Sequence, residues 1–151
     1  MSAIELLAPA KLTLSLRVCG SREDGLHLID AEMVTVDLYD TLELVEGGQG
    51  LTVIGGGADI PTGPDNLVHR ALALVGRTAS VVLTKRIPSQ AGLGGGSSDA
   101  GAILRWAGFE DLEAAAALGA DVAFCTVGGR ARVTGSGEIV ERLPFEPRTF
   151  T

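Results

Sequence analysis

The chain has 151 residues, 46% of them hydrophobic, and a mean hydropathy of +0.30. This is enough apolar material for one core and makes a second independent core improbable. The net charge of −7 and the isoelectric point near 4.7 argue against a general nucleic-acid binder, because phosphate backbones require an excess of Lys and Arg, but a local positive potential can still bind a small anion.

Neither a leader nor a membrane span is visible. The amino terminus, MSAIELLAPAKL, has no cationic segment followed by a long apolar one, and no stretch reaches the ~18 apolar residues of a span, so we expect a soluble, cytoplasmic chain without a membrane partner. Cys19 and Cys125 lie far apart and form no C-x-x-C motif, so we expect both to be reduced. Only two lysines, Lys11 and Lys85, stand among ten arginines, which makes each lysine worth locating.

The first third of the chain is predicted to be mostly sheet. Residues 11–18, KLTLSLRV, alternate in polarity and predict a half-buried strand with one apolar face, formed by Leu12, Leu14, Leu16 and Val18. After the polar turn GSREDG, the segments AEMVTVDLYD, TLELVE and LTVIGGG are rich in β-branched and apolar residues.

Helical periodicity begins near residue 65, where Asp65 can cap the run NLVHRALALVG. A strand, ASVVLTKRI, then leads to the glycine-rich segment PSQAGLGGGSSDAG, and we expect a helix to begin around Ser97 to Asp99. Its predicted apolar face includes Ile103, Leu104 and Ala107. A second helical run, EDLEAAAALG, is followed by ADVAFC and by the late strands ARVTG and EIVERL, which completes an α+β pattern.

The succession of strand, glycine loop and helix start favours a phosphate site. Glycine lets backbone N–H groups approach a ligand closely, and a helix start adds unsatisfied amides and a partial positive charge. The segment is neither a P-loop, because no lysine follows a glycine, nor a dinucleotide fingerprint, because Ser97 stands where a third glycine belongs. Taken alone, it is also compatible with a flexible connection or a tight helix entry.

The segment PSQAGLGGGSSDAG resembles the phosphate-binding motif of the GHMP kinases. Five further segments, in order, resemble the member family that phosphorylates a cytidine-diphosphate-linked methylerythritol in isoprenoid precursor synthesis: PAKLTLSL, REDGLH, VDLYDTLEL, DNLVHRA and LGADVAF. The resemblance implies that residues 1–145 form the amino-terminal ATP-binding domain and that residues 146–151 begin the link to a carboxy-terminal domain. It also implies a mixed β-sheet packed on helices, with a left-handed βαβ crossover that departs from the usual right-handed rule.

The resemblance further implies ATP and Mg²⁺ as cofactors and assigns residues to them. The phosphates of ATP would lie against one continuous stretch: Pro88, Ser89, Gln90, Ala91, Gly92, Leu93, Gly94, Gly95, Gly96, Ser97 and Ser98. Within that stretch Ser98 would contact the metal, and Asn66 would lie beside the adenine, although it can equally belong to a helix cap.

Lys11 and Asp121 fall on the family's catalytic positions, where they orient and activate the substrate hydroxyl. Phosphoryl transfer requires an aligned attacking oxygen and a carboxylate that can accept its proton, and a nearby ammonium favours the ionised carboxylate. Without the family, Lys11 would be interpreted as a solvent-facing strand residue and Asp121 as a helix cap. His27 resembles the position that reads the cytosine, and otherwise would be a solvated histidine beside a turn.

The chain departs from the family at three site positions, since Leu26 replaces a tyrosine, Thr13 an asparagine and Ala123 a proline. Leu26 removes an aromatic platform beside His27, Thr13 removes an amide near the substrate, and Ala123 loosens the backbone after Asp121. Two alternatives therefore stay open: a GHMP kinase acting on another small alcohol, and a truncated, non-catalytic nucleotide-binding domain. A separately encoded carboxy-terminal domain is a further expected partner.

Overall fold

The computed structural model describes residues 2–57 and 60–151, and it shows a mixed β-sheet packed on helices. The elements in chain order are β1 (Ile4–Ser21), β2 (His27–Glu46), β3 (Leu51–Gly55), α1 (Leu67–Val75), β4 (Ala79–Lys85), α2 (Gly95–Trp106), α3 (Leu112–Leu118), α4 (Val122–Val127), β5 (Arg130–Gly135) and β6 (Ile139–Leu143). The expected α+β class is confirmed. In the part of the chain that is described, no helix combines the length and the apolar character needed to cross a membrane.

Strand β2 is the central strand of the sheet. It pairs antiparallel with β1 along one edge, while the other edge pairs with β5 near its start and with β4 near its end. Strands β3 and β4 are parallel and are connected through α1, so they form a βαβ unit. The left hand of this crossover stays a prediction of the family resemblance.

The prediction that one face of β1 carries all four apolar residues of KLTLSLRV is wrong. Thr13 pairs with Met33, but Ser15 pairs with Glu32, so β1 has one extra residue between these pairs. Because side chains alternate along a strand, such a bulge transfers the residues that follow it to the opposite face. Leu16 therefore lies on the other face from Leu12, and its side chain is 61% exposed.

The core lies between the sheet and the helices. Its main cluster packs strand side chains such as Leu42 and Leu83 against Val68 of α1 and Ile103 of α2. A smaller cluster packs Phe124 and Cys125 of α4 against residues of β2 and β5: Ala31, Met33, Ala131 and Val133. Burial of one large apolar side chain contributes about 1.5–3 kcal/mol. These contacts fix the positions at which α2 and α4 begin.

Both helix starts predicted at polar residues are shifted in the structure. The side chain of Asn66, and not that of the exposed Asp65, caps α1, because its Oδ1 accepts a hydrogen bond from the Val68 N–H at 2.9 Å. Helix α2 begins at Gly95, earlier than Ser97 to Asp99, because Gly94 turns the chain into the helix with a φ of 66° and no side-chain cap. The predicted apolar residues Ile103 and Leu104 are fully buried.

Candidate active site

Lys11 and Asp121, from opposite ends of the chain, form an ion pair. The Nζ of Lys11 lies 3.3 Å from the Oδ2 of Asp121 and donates a hydrogen bond to the Oγ1 of Thr13 at 2.8 Å. Lys11 is 7% exposed, which excludes a solvent-facing role. Asp121 occupies the N-cap position of α4 but makes no capping hydrogen bond, so its carboxylate is available to Lys11. The structure thus brings the two predicted catalytic residues together.

The glycine loop packs directly against this pair. The backbone N–H of Lys11 donates to the carbonyl oxygen of Leu93 at 2.9 Å. A Cβ at Gly94 would lie 2.9 Å from the Cγ of Lys11, so only glycine leaves room for the lysine stem here. The loop and the predicted catalytic pair are therefore in direct contact.

A cleft of about 440 Å³ opens along the glycine loop. It is lined by the whole predicted stretch from Pro88 to Ser97, and by Ile60, Pro61, Asp65, Asn66, Leu67, Lys85 and Asp99. Helix α2 starts here with neither a side-chain cap nor an acidic residue in its first turn. The amides of Gly95, Gly96 and Ser97 belong to this first turn and have no partner within the helix, which suits them to an anion.

Ser98 differs from the rest of the predicted phosphate stretch. Its side chain is 1% exposed, it does not line the cleft, and its hydroxyl donates to the carbonyl oxygen of Pro9 at 2.5 Å. The hydroxyl therefore joins α2 to β1, and this hydrogen bond does not favour the predicted metal contact.

Across residues 2–57 and 60–151, no cluster of three His, Cys, Asp or Glu side chains could hold a metal ion.

Asn66 combines two of the roles considered for it. Its Oδ1 caps α1, its Nδ2 donates to the carbonyl oxygen of Pro61 at 2.9 Å, and the residue lines the cleft. The amide is thus held in place by its hydrogen bonds to Val68 and Pro61. A contact with adenine stays a prediction.

A second cleft, of about 820 Å³, lies on the other side of Leu93. It is lined by residues 12–14 of β1, residues 34–38 of β2 and the terminal segment 145–151. Leu93 lines both clefts, and Thr13, which accepts the hydrogen bond from Lys11, lines the second. Neither Lys11 nor Asp121 lines either cleft, so the predicted catalytic pair reaches the clefts only through its hydrogen-bond partners Leu93 and Thr13.

His27 and Leu26 are not brought to this site. His27 pairs with Ser21 at the far end of the β1–β2 hairpin. His27 and Leu26 are both exposed, and neither of them lines the first or the second cleft. Ala123 is fully buried in the first turn of α4. The substrate roles of His27, Leu26 and Thr13 stay predictions.

A buried charge cluster beneath the cleft was not foreseen from the sequence. The ammonium of Lys85 donates to the Oδ2 of Asp40 at 2.6 Å and to the Oδ2 of Asp99 at 2.9 Å. The Oδ1 of Asp40 accepts hydrogen bonds from the N–H groups of Arg86 and Ile87, at 2.7 and 2.9 Å. The cluster thus fixes the chain on both sides of the glycine loop.

Burial and mutual contact shift all three pKa values of this cluster. Burial, and then the neighbouring Asp40, raise the pKa of Asp99 to about 8 against the opposing effect of Lys85. Burial alone would raise the pKa of Asp40, but the neighbouring Asp99 and the hydrogen bonds from the two backbone amides and from Lys85 hold it below its ordinary value. Burial acts to lower the pKa of Lys85, and the two carboxylates together raise it.

Part of this cluster left a signal in the sequence. Lys85 is one of only two lysines, and Asp99 belongs to the glycine-rich motif itself. Asp40 lies on β2, 45 residues before Lys85 in the chain, and nothing local marks it as the partner of a lysine. The pairing depends on the β2–β4 register, which the sequence does not reveal.

The comparisons with known proteins agree with this geometry. No family model matches the chain. It is 42% identical to a 4-diphosphocytidyl-2-C-methyl-D-erythritol kinase of Heliobacterium modesticaldum, over 95% of the chain and 51% of the relative, and 44% identical to the enzyme of that name from Paracoccus denitrificans, over 93% and 51%. A crystal structure of 4-(cytidine 5'-diphospho)-2C-methyl-D-erythritol kinase superposes with a TM-score of 0.72 at 38% identity, over 93% of this chain and 55% of that one. The chain spans about half the length of the curated relatives it matches, and it belongs to the 4-diphosphocytidyl-2-C-methyl-D-erythritol kinase family, within the GHMP kinases.

Proposed function

We propose that this chain provides the nucleotide site and the catalytic pair of an ATP-dependent kinase. The acceptor would be the 2-hydroxyl of 4-diphosphocytidyl-2-C-methyl-D-erythritol, the compound in the printed names of its relatives. The observation that carries the proposal is the Lys11–Asp121 ion pair, which lies against the glycine loop, whose Leu93 lines both clefts. A kinase requires this arrangement, because donor and acceptor must meet beside one carboxylate.

The first cleft is the proposed donor site. ATP supplies the γ-phosphoryl group, and its phosphates would lie against the first-turn amides of α2, which have no capping side chain. Asn66, which also lines the cleft, would border the base. The glycine loop is held by its hydrogen bond to Lys11 and by the Asp40–Lys85–Asp99 cluster, so it is ordered before the nucleotide binds.

Asp121 is the proposed base. Its carboxylate is 30% exposed, so a hydroxyl group can reach it, and the proton of that hydroxyl would pass to a carboxylate oxygen as the oxygen attacks the γ-phosphorus. Lys11 would orient Asp121 and offset the negative charge that develops on the transferring group. Thr13 would hold the ammonium of Lys11 toward the second cleft, which is the proposed acceptor site.

The described residues do not form a protein cage for Mg²⁺. Ser98 is engaged with Pro9, and the two buried aspartates near the loop are engaged with Lys85. Phosphate oxygens and water are common ligands of Mg²⁺ in kinases. We therefore assign no step of the reaction to a metal ligand of this chain.

The test is phosphoryl transfer from labelled ATP to the diphosphocytidyl substrate, with the wild-type chain and with Asp121→Asn and Lys11→Met. The exposed Glu110→Gln serves as the matched charge control. Transfer that is reduced at least 100-fold by Asp121→Asn and unchanged by Glu110→Gln supports the proposal. Equal activity of wild type and Asp121→Asn removes Asp121 as the base.

Two alternatives remain distinct in the same assay. Binding of a non-hydrolysable ATP analogue without transfer would favour a nucleotide-binding domain that needs a second chain, an alternative motivated by the half-length match to the relatives. Transfer to another small alcohol in preference would favour a different acceptor, which the exposed position of Leu26 motivates. Absence of nucleotide binding would overturn the proposed function and both alternatives.

A further inference from the structure

The turn between β5 and β6 touches the peptide that leads into Asp121. Gly137 lies in this turn with a φ of +110°, and it is buried. A Cβ at Gly137 would overlap the carbonyl oxygen of Ala120 and would lie 3.1 Å from its carbonyl carbon. That carbonyl belongs to the peptide bond between Ala120 and Asp121. The contact is therefore between two backbones, with no flexible side chain to absorb a change.

Both sides of this contact are held in place. Within the turn, the N–H of Ser136 donates to the Oε2 of Glu138 at 2.7 Å, and the N–H of Gly137 donates to the carbonyl oxygen of Thr134 at 3.3 Å. On the helix side, Phe124 of α4 is fully buried against Val133 of β5 in the smaller core cluster. The β5–β6 hairpin thus contacts α4 at Phe124 and also contacts the peptide that precedes its N-cap, Asp121.

Asp121 depends on its backbone position because the ion pair with Lys11 is the one side-chain contact that the described residues provide for it. It makes no capping hydrogen bond to α4, and its ion pair with Lys11 has a length of 3.3 Å. The position of the carboxylate relative to Lys11 is consequently set by the backbone at Ala120 and Asp121. Gly137 is the residue whose close approach limits where that backbone can lie.

We propose that Gly137 is a positioning residue that sets the placement of Asp121 relative to Lys11. Its catalytic consequence rests on the proposed function, while its geometric consequence does not. A methyl group at position 137 fits only if the Ala120 peptide or the turn itself moves, and misplacement of a catalytic group by about 1 Å can cost about 100-fold in rate.

The first experiment uses Gly137→Ala with Gly50→Ala as the matched control. Gly50 has a φ of +98°, and a Cβ there would meet nothing within 4 Å, so both variants strain the backbone but only Gly137→Ala creates an overlap with Ala120. Lysine labelled with ¹⁵N at Nζ alone gives one side-chain signal from Lys11 and one from Lys85, and Lys11→Arg assigns them. We expect Gly137→Ala to shift the Lys11 signal and not the Lys85 signal, and Gly50→Ala to shift neither. An unmoved Lys11 signal in Gly137→Ala, or equal shifts in both variants, overturns the proposal.

A second variant covers the case in which Gly137→Ala does not fold. Glu138→Ala adds no atoms and removes the acceptor that holds the turn. We expect it to shift or broaden the Lys11 signal while the Lys85 signal stays. If the Lys11 signal is unchanged in folded Glu138→Ala, the turn does not position Asp121.

Kinetics then separate positioning from binding. We expect Gly137→Ala to lower kcat by about 10- to 100-fold and to leave the Kd for the ATP analogue within about two-fold. A loss confined to nucleotide affinity would contradict the proposal. If the wild-type chain transfers no phosphate, the proposed function fails, but the lysine signals still decide the role of Gly137.

Discussion

The ammonium of Lys85 lies 2.6 Å from the Oδ2 of Asp40, and the two side chains are 6% and 0% exposed. A buried ion pair costs desolvation energy to form, and removal of one partner leaves an uncompensated charge. Because Asp40 also accepts the amide hydrogens of Arg86 and Ile87, its loss would release the start of the glycine loop as well.

We therefore expect Asp40→Asn to lower the free energy of unfolding by about 3–5 kcal/mol. Urea unfolding followed by circular dichroism measures this change. Glu46→Gln is the control, because Glu46 and Arg77 form an ion pair of 3.4 Å with side chains 49% and 42% exposed, and exposed pairs contribute little. Similar losses in both variants would show that the burial of the Lys85 pair does not matter.

Asp99 makes stability depend on pH. Its pKa is raised to about 8 in the folded chain, above the value of an unfolded aspartate, so the folded state binds the proton more tightly. The stabilisation that this tighter proton binding provides is complete below the pKa of an unfolded aspartate and is lost as the pH rises to about 8. In Asp99→Asn the neutral amide does not titrate, so wild type should lose stability relative to this variant by on the order of 1 kcal/mol per pH unit over that interval. Parallel pH profiles of the two chains would contradict the raised pKa.

Ser97 and Ser98 should differ although they are neighbours. Ser98→Ala removes the hydrogen bond to Pro9, so we expect it to cost about 1–2 kcal/mol of stability and to leave the Mg²⁺ dependence of nucleotide binding unchanged. Ser97→Ala should weaken nucleotide binding without that loss of stability, since Ser97 lines the cleft. Calorimetric titrations with and without Mg²⁺ test both. Loss of the Mg²⁺ dependence in Ser98→Ala would restore Ser98 as a metal ligand.

The two thiols should react at very different rates. Cys19 is exposed, whereas Cys125 is buried against α2 and β5, and burial raises its pKa to about 12. Because the thiolate is the reactive form, iodoacetamide should modify Cys19 in the native chain and Cys125 only after unfolding. Mass spectrometry of peptides counts the labels. Equal labelling of both cysteines under native conditions would contradict the burial of Cys125.

The sequence predicted the parts of the site that short motifs encode. Lys11, Asp121 and the stretch from Pro88 to Ser97 were all placed by segments of a few residues, and the structure brings them together. Their separation along the chain did not matter, because the family resemblance covers each segment, although each segment taken alone is also compatible with a structural role. The same holds for the α+β class, which follows from the order of periodic segments.

The missed features depend on register and on contacts between distant residues. The bulge after Thr13 reverses the faces of β1, although the letters alternate without interruption. Asp40 meets Lys85 only because β2 and β4 pair in one register. The choice of Asn66 over Asp65 as the cap depends on a shift of one residue, which sequence patterns do not resolve.

The position of β2 between its neighbours has a consequence for how the chain folds. Only its pairing with β1 joins neighbouring segments, whereas Thr41 pairs with Thr84 and Ile29 with Gly135. The chain must close long loops before either of these distant ladders can form, and the entropy of closure is lost before the pairing compensates for it. We therefore expect refolding from urea to take milliseconds to seconds, with the β1–β2 hairpin available first as a template for the other strands.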